Sequence, residues 1–113
     1  MAFKKERLEK IIARELSSIL FSDVKDARLK LVTITNVNLS GDLSIATVFY
    51  TVYGDEVVRA DTSKSLEDAK GFIRLQLGHR IEVKKVPELR FKYDESFEQG
   101  NRIEDILNSL NNK

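Results

Sequence analysis

Asp68-Ala69-Lys70-Gly71-Phe72-Ile73-Arg74-Leu75-Gln76-Leu77-Gly78-His79-Arg80 lies between two β-type segments and decides what joins them. Leu66, Ala69, Ile73 and Leu77 recur at helical spacing. Gly71 interrupts that pattern, at a cost of about 1 kcal/mol relative to alanine. The spacing therefore predicts a helix from Glu56 to Lys70, a break at Ala69 to Gly71, and a second helical piece to Leu77. Gly78 would be the C-cap of that piece. Lys70 and Arg74 set cations on both sides of the break, which makes it a candidate approach point for an anion.

Upstream, Gly54-Asp55 ends an extended stretch, and Asp55 is a plausible N-cap for the helix that follows. Leu31 to Leu39 reads as a strand, because Thr33, Ile34, Thr35 and Val37 are β-branched. Ser40-Gly41-Asp42 supplies turn chemistry. Leu43 to Tyr53 is a second strand, apolar or aromatic on both faces and so expected at the centre of its sheet. The short link makes the pair an antiparallel hairpin. Residues 3–21 form an amphipathic helix, with Leu8, Ile11, Ile12, Leu16, Ile19 and Leu20 on one face. Ser22 to Lys30 is a charged connector. Downstream, Arg80 to Tyr93 is a third extended segment, in which Arg80, Glu82 and Lys84 share one face and Lys85 takes the other. Pro87 cannot donate to a ladder, so it implies an edge strand or a bulge. Arg102 to Leu110 is a short terminal helix. This order gives an α+β sandwich with helices on one face of a three-stranded sheet.

A chain of 113 residues is one domain, long enough for a core without staples. It has no cysteine, which excludes disulfides and thiolate metal sites. No apolar run reaches the roughly 20 residues that span a membrane, and the expected location is the cytoplasm. The net charge of +1 hides a segregation. Residues 1–30 carry a balance of +3, 31–63 of −3, 64–92 of +4 and 93–113 of −3. A near-neutral chain arranged so can show a basic face to a polyanion.

Enzyme chemistry has little support. His79 is the sole histidine and stands beside a helix end, where the dipole favours a cation. Asp94-Glu95-Ser96 has no histidine or second acid cluster to complete a nucleophile–base pair. No phosphate-loop or metal-ligand spacing occurs. The stretch from Lys70 to Lys92 instead holds Lys70, Arg74, His79, Arg80, Lys84, Lys85, Arg90 and Lys92 against Glu82 and Glu88. Phe49, Phe72 and Phe91 fall at apolar-patterned positions expected in the core, while Tyr50, Tyr53 and Tyr93 could be exposed. The balance favours phosphate and shape contacts over base readout. A basic surface can also meet an acidic protein, which remains the alternative.

Three motifs in order carry a resemblance. They are Val32-Thr33-Ile34-Thr35-x-Val37-x-Leu39-Ser40-x-Asp42-Leu43 in the hairpin and Ala69-x-Gly71-Phe72-Ile73-Arg74-x-x-Leu77-Gly78-x-Arg80 at the break. The third is Pro87-Glu88-Leu89-x-Phe91-x-Tyr93-Asp94-x-Ser96, followed by Gly100-x-Arg102-Ile103. Over nearly its whole length the chain resembles the ribosome-binding factor A family of bacterial small-subunit maturation proteins. The resemblance implies a type II KH-like fold: helix, strand, strand, helix, kink, helix, strand, then a short C-terminal helix. An Ala-x-Gly kink (Ala69, Gly71) stands where ordinary KH domains carry Gly-x-x-Gly. Residues 1–97 would be the RNA-binding domain and 98–113 its C-terminal helix or tail.

The implied function is binding to the immature 30S subunit and 16S rRNA, around the 5′-terminal helix. It would support late assembly, rRNA processing and cold adaptation, as a monomer without catalysis, cofactor, metal or membrane. One departure is Asp26-Ala27-Arg28, where the family often has Asp-Pro-Arg. The expected RNA contacts are Lys70, Gly71 and Arg74 at the kink, with Arg80, Lys84 and Arg90 extending the track. Arg7 and Arg28 are secondary.

Overall fold

The computed structural model describes residues 2–96. The terminal helix expected at 102–110, and the 98–113 segment as a whole, lie outside the described residues. Helix α1 spans Ala2–Ser22 and buries Ile12, Leu16, Ile19 and Leu20, one helical stripe. The charged connector contains a 3₁₀ turn, Ala27–Leu31, which seats Leu29 in the core. Asp26 caps that turn by accepting from the Arg28 N–H at 3.0 Å. The Asp26 side chain thus shapes this corner with alanine, not proline, at position 27.

Strands β1 (Thr33–Leu39) and β2 (Ile45–Thr51) pair antiparallel, with a register irregularity between Ile34 and Asn36. Their turn is held by Asp42, whose Oδ1 accepts from the hydroxyls of Ser40 and Ser44 at 2.8 and 2.7 Å. These bonds, led by the one from the Ser44 hydroxyl, lower the Asp42 carboxyl to about 2. Helix α2 follows as one unbroken helix, Glu56–Arg80, capped by Asp55 accepting from the Val58 N–H at 3.0 Å. It leads to β3 (Glu88–Tyr93), which pairs in parallel with β2. The sheet order is β1-β2-β3, so β2 is central as expected and β3 is an edge strand directly after Pro87.

Several expectations need correction. The helix does not break at Ala69 to Gly71, because Leu66, Ile73 and Leu77 are all fully buried on one continuous stripe. That packing outweighs a single glycine. Gly78 is not a cap: the helix continues to Arg80 and Ile81 is its C-cap. The third extended segment is strand only from Glu88, and Arg80 belongs to the helix, so the expected alternation of Arg80, Glu82 and Lys84 against Lys85 does not exist. Tyr50 is buried at 3% exposure, while Phe72 is 44% exposed, the reverse of the expected arrangement.

Both helices pack on one face of the sheet. The core joins Ile12, Leu16, Leu66, Ile73 and Leu77 to Val37, Leu39, Ala46, Val48, Tyr50 and Leu89. Alternation along each strand sends Asn36, Asn38, Ile45, Thr47, Phe49, Arg90 and Lys92 to the other face. Phe49 is therefore not a core residue either. It is half-buried and makes no part of the core cluster.

Candidate nucleic-acid interface

The C-terminal half of α2 and the loop before β3 enclose an open groove of about 580 Å³. Its walls are Gly71, Arg74, Leu75, Gly78 and His79 from the helix and Lys84, Lys85 and Val86 from the loop. Gly71, Leu75 and Gly78 share a helical stripe turned away from the core. The two glycines do different things. A Cβ on Gly71 would meet nothing within 4 Å, so the helix backbone there is bare to solvent. A Cβ on Gly78 would sit 3.0 Å from Val86 Cγ2, so its absence lets the loop lie against the helix.

Arg74 fastens the same loop. Its Nε donates to the Pro87 carbonyl at 3.1 Å and its Nη2 to the Val86 carbonyl at 2.6 Å. Charged donors on two successive carbonyls hold a loop more firmly than neutral ones would. Lys84 and Lys85 ride on this tethered loop, exposed and without an ion pair among the described residues.

The other cations expected in the site divide by partner. Arg80 reaches back to α1, donating to Glu15 at 3.3 Å, to Ser18 Oγ at 2.9 Å and to both Asp23 oxygens at 3.0 and 2.9 Å. The Arg80 hydrogen bond holds the Asp23 carboxyl below its usual range. Arg28 forms a two-pronged pair with Asp26, at 3.1 and 3.0 Å, whose hydrogen bond lowers Asp26 to about 2. Lys70 is paired with Glu67 at 2.6 Å. Arg90 lies 3.6 Å from Glu88 with both side chains more than half exposed, which is a weak contact. Arg7 and Lys92 are exposed and make no ion pair among the described residues.

Lys84, Gly71 and Arg74 therefore meet at one groove, Lys70 adjoins it in sequence, and Arg80 and Arg28 are anchored to α1 and to the connector. Lys85 and Lys92 belong to the basic run but were not among the expected contacts. Neither makes an ion pair among the described residues, which only the folded arrangement reveals. Among the described residues no cluster of His, Cys, Asp and Glu could hold a metal ion, and no helix is long and apolar enough to cross a membrane.

A three-stranded mixed sheet backed by two helices, with a basic loop docked on the second, defines a KH-like domain. A model of the ribosome-binding factor A family matches residues 4–107. The ribosome-binding factor A of Staphylococcus saprophyticus is 47% identical over 113 residues, covering 100% of this chain and 99% of that protein. Among solved structures, a Thermotoga maritima putative ribosome binding factor A is 32% identical with a TM-score of 0.69, over 81% of this chain and 88% of that one. A homology model of Thermus thermophilus ribosome binding factor A, as fitted into the cryo-EM map of a 30S complex with that factor, is 26% identical with a TM-score of 0.66, over 79% and 93%. The chain belongs to the ribosome-binding factor A family.

Proposed function

We propose that this protein binds the small ribosomal subunit through the sugar-phosphate backbone of its rRNA and acts there as a maturation factor without catalysis. The observation that carries this reading is the groove beside α2, where Lys84 and Lys85 are exposed and make no ion pair among the described residues, next to the bare backbone of Gly71. Exposed cations not held in ion pairs are available to replace the counterions of a polyanion. Family membership supports the subunit as the target, as does the 30S complex of the Thermus thermophilus relative.

Lys84 and Lys85 are the principal contacts, with Lys70 and Gly71 at the edge and Arg90 and Arg7 beyond it. Arg74, Arg80 and Arg28 serve mainly to hold the protein's own elements. The target within the subunit is 16S rRNA near its 5′-terminal helix, during late assembly in the cytoplasm, with effects on rRNA processing and growth in the cold. Residues 1–97 carry the interaction as a monomer, and 98–113 complete the same domain.

The test is co-sedimentation with small subunits. Lys84→Glu with Lys85→Glu should abolish association at moderate salt while the melting temperature stays at the wild-type value. For the wild type, log affinity should fall against log salt by about 0.7–0.9 per phosphate contacted. Undiminished co-sedimentation of the charge-reversed variant would refute the assignment of this groove.

A further inference from the structure

The face of the sheet opposite the helices has a composition unlike an idle surface. Pairing register places Asn36, Phe49 and Lys92 in one row across the three strands, and Asn38, Thr47 and Arg90 in the next. The four flanking side chains are exposed, and Phe49 sits half-buried between Asn36 and Lys92. None of the six belongs to the hydrophobic core or packs against it. A ring held at the middle of an open sheet, with an amide on one side and an ammonium on the other, offers a stacking surface, a base-edge donor and acceptor, and a phosphate partner. On β3 itself Glu88 engages Arg90 weakly, at 3.6 Å, and Glu95 lines the same surface pocket as Lys92 without an ion pair to it.

We infer that this open face is a second nucleic-acid site, one that takes unpaired RNA. A base stacks on Phe49, Asn36 and Asn38 hydrogen-bond base edges, and Lys92 and Arg90 meet the flanking phosphates. Stacking on an aromatic ring tolerates any base, because every base has a π-face. A duplex keeps its base faces inside the helix and cannot use such a platform. The basic residues of β3 continue directly from the Lys84–Lys85 loop, so one RNA can pass from the groove onto the face. The inference extends the proposed subunit binding but does not need the groove to be occupied.

The test uses the full chain with a single-stranded oligouridylate and, separately, a duplex of equal length. Backbone amide shifts on titration should map to β2 and β3 with the single strand and should be absent there with the duplex. Phe49→Leu keeps apolar bulk but removes the ring, and should weaken single-strand binding at least about fivefold. Lys92 is exposed, so Lys92→Gln should weaken single-strand binding while leaving the melting temperature unchanged. Wild-type affinity in both variants, or shifts confined to the 81–87 loop, overturns the inference. So does equal binding of the duplex at this face. Failure of the Lys84 and Lys85 test on subunits would leave these oligonucleotide readouts intact, so the two ideas fall separately.

Discussion

Gly71→Ala should make the protein more stable, and the size of the gain follows from the structure. Gly71 lies inside the continuous helix Glu56–Arg80, so an alanine there adopts its preferred backbone. The added methyl meets nothing within 4 Å, which rules out both a clash and a packing reward. What remains is the helix-propensity difference, about 0.5–1 kcal/mol in favour of alanine. For a domain of this size that corresponds to a rise of about 2–5 °C in melting temperature. Thermal and urea unfolding followed by far-UV circular dichroism would read it, with an unchanged urea m-value as the control for two-state behaviour. Gly78→Ala is the internal comparison, because its methyl would press on Val86 Cγ2 at 3.0 Å and the same propensity gain would be offset. A lower melting temperature for Gly71→Ala, or a larger gain at Gly78 than at Gly71, would show that position 71 departs from helical geometry in solution. Any loss of subunit binding by a stabilised Gly71→Ala protein would then report close approach of RNA to the helix backbone.

Two further outcomes can be checked. Arg74→Lys keeps the charge but cannot span both the Val86 and Pro87 carbonyls, so heteronuclear NOE values for the 83–86 amides should drop. Its subunit affinity should fall as far as that of Arg74→Gln, whereas wild-type affinity in Arg74→Lys would mean that the charge alone matters. Acid should unfold the protein in a defined window. Asp26 and Asp42 have carboxyls lowered from 3.8 to about 2 in the fold, so the unfolded chain takes up protons first. Their stabilisation is complete above 3.8 and disappears as pH falls towards 2. The urea midpoint should decline through that window, and Asp26→Asn with Asp42→Asn should flatten the decline. An equally steep fall in the double variant would remove these carboxyls from the account.

What the sequence disclosed was mostly local. The stripe of α1, the Ser40-Gly41-Asp42 turn, the Asp55 cap and the central place of β2 each depend on neighbours a few residues away. The unbroken α2 was not legible, because periodicity and the Gly71 penalty pull in opposite directions. Only burial of Ile73 and Leu77 beyond the glycine decides between them. Arg74 and Arg80 read as free cations, yet their acceptors lie on the loop before β3 and on α1 with the residue that follows it. The aromatic residues failed for a related reason. Phe49 and Tyr50 are adjacent and equally apolar in pattern, and the covered face of the sheet determines which one is buried.

The parallel pairing of β2 with β3 also governs when the proposed RNA-binding surface comes into being. β3 reaches its place only after a 25-residue crossover helix and a loop have been traversed. Pairing across so long a connection is expected late in folding, since loop closure must precede its reward. Lys84, Lys85, Arg90 and Lys92 all lie on the elements placed by that last step. A partly folded chain on the translating ribosome carries these charges but has neither the groove nor the sheet face to arrange them. On the proposed function, recognition is thereby deferred to the finished molecule, and an unfinished one would offer RNA only a loose polyelectrolyte.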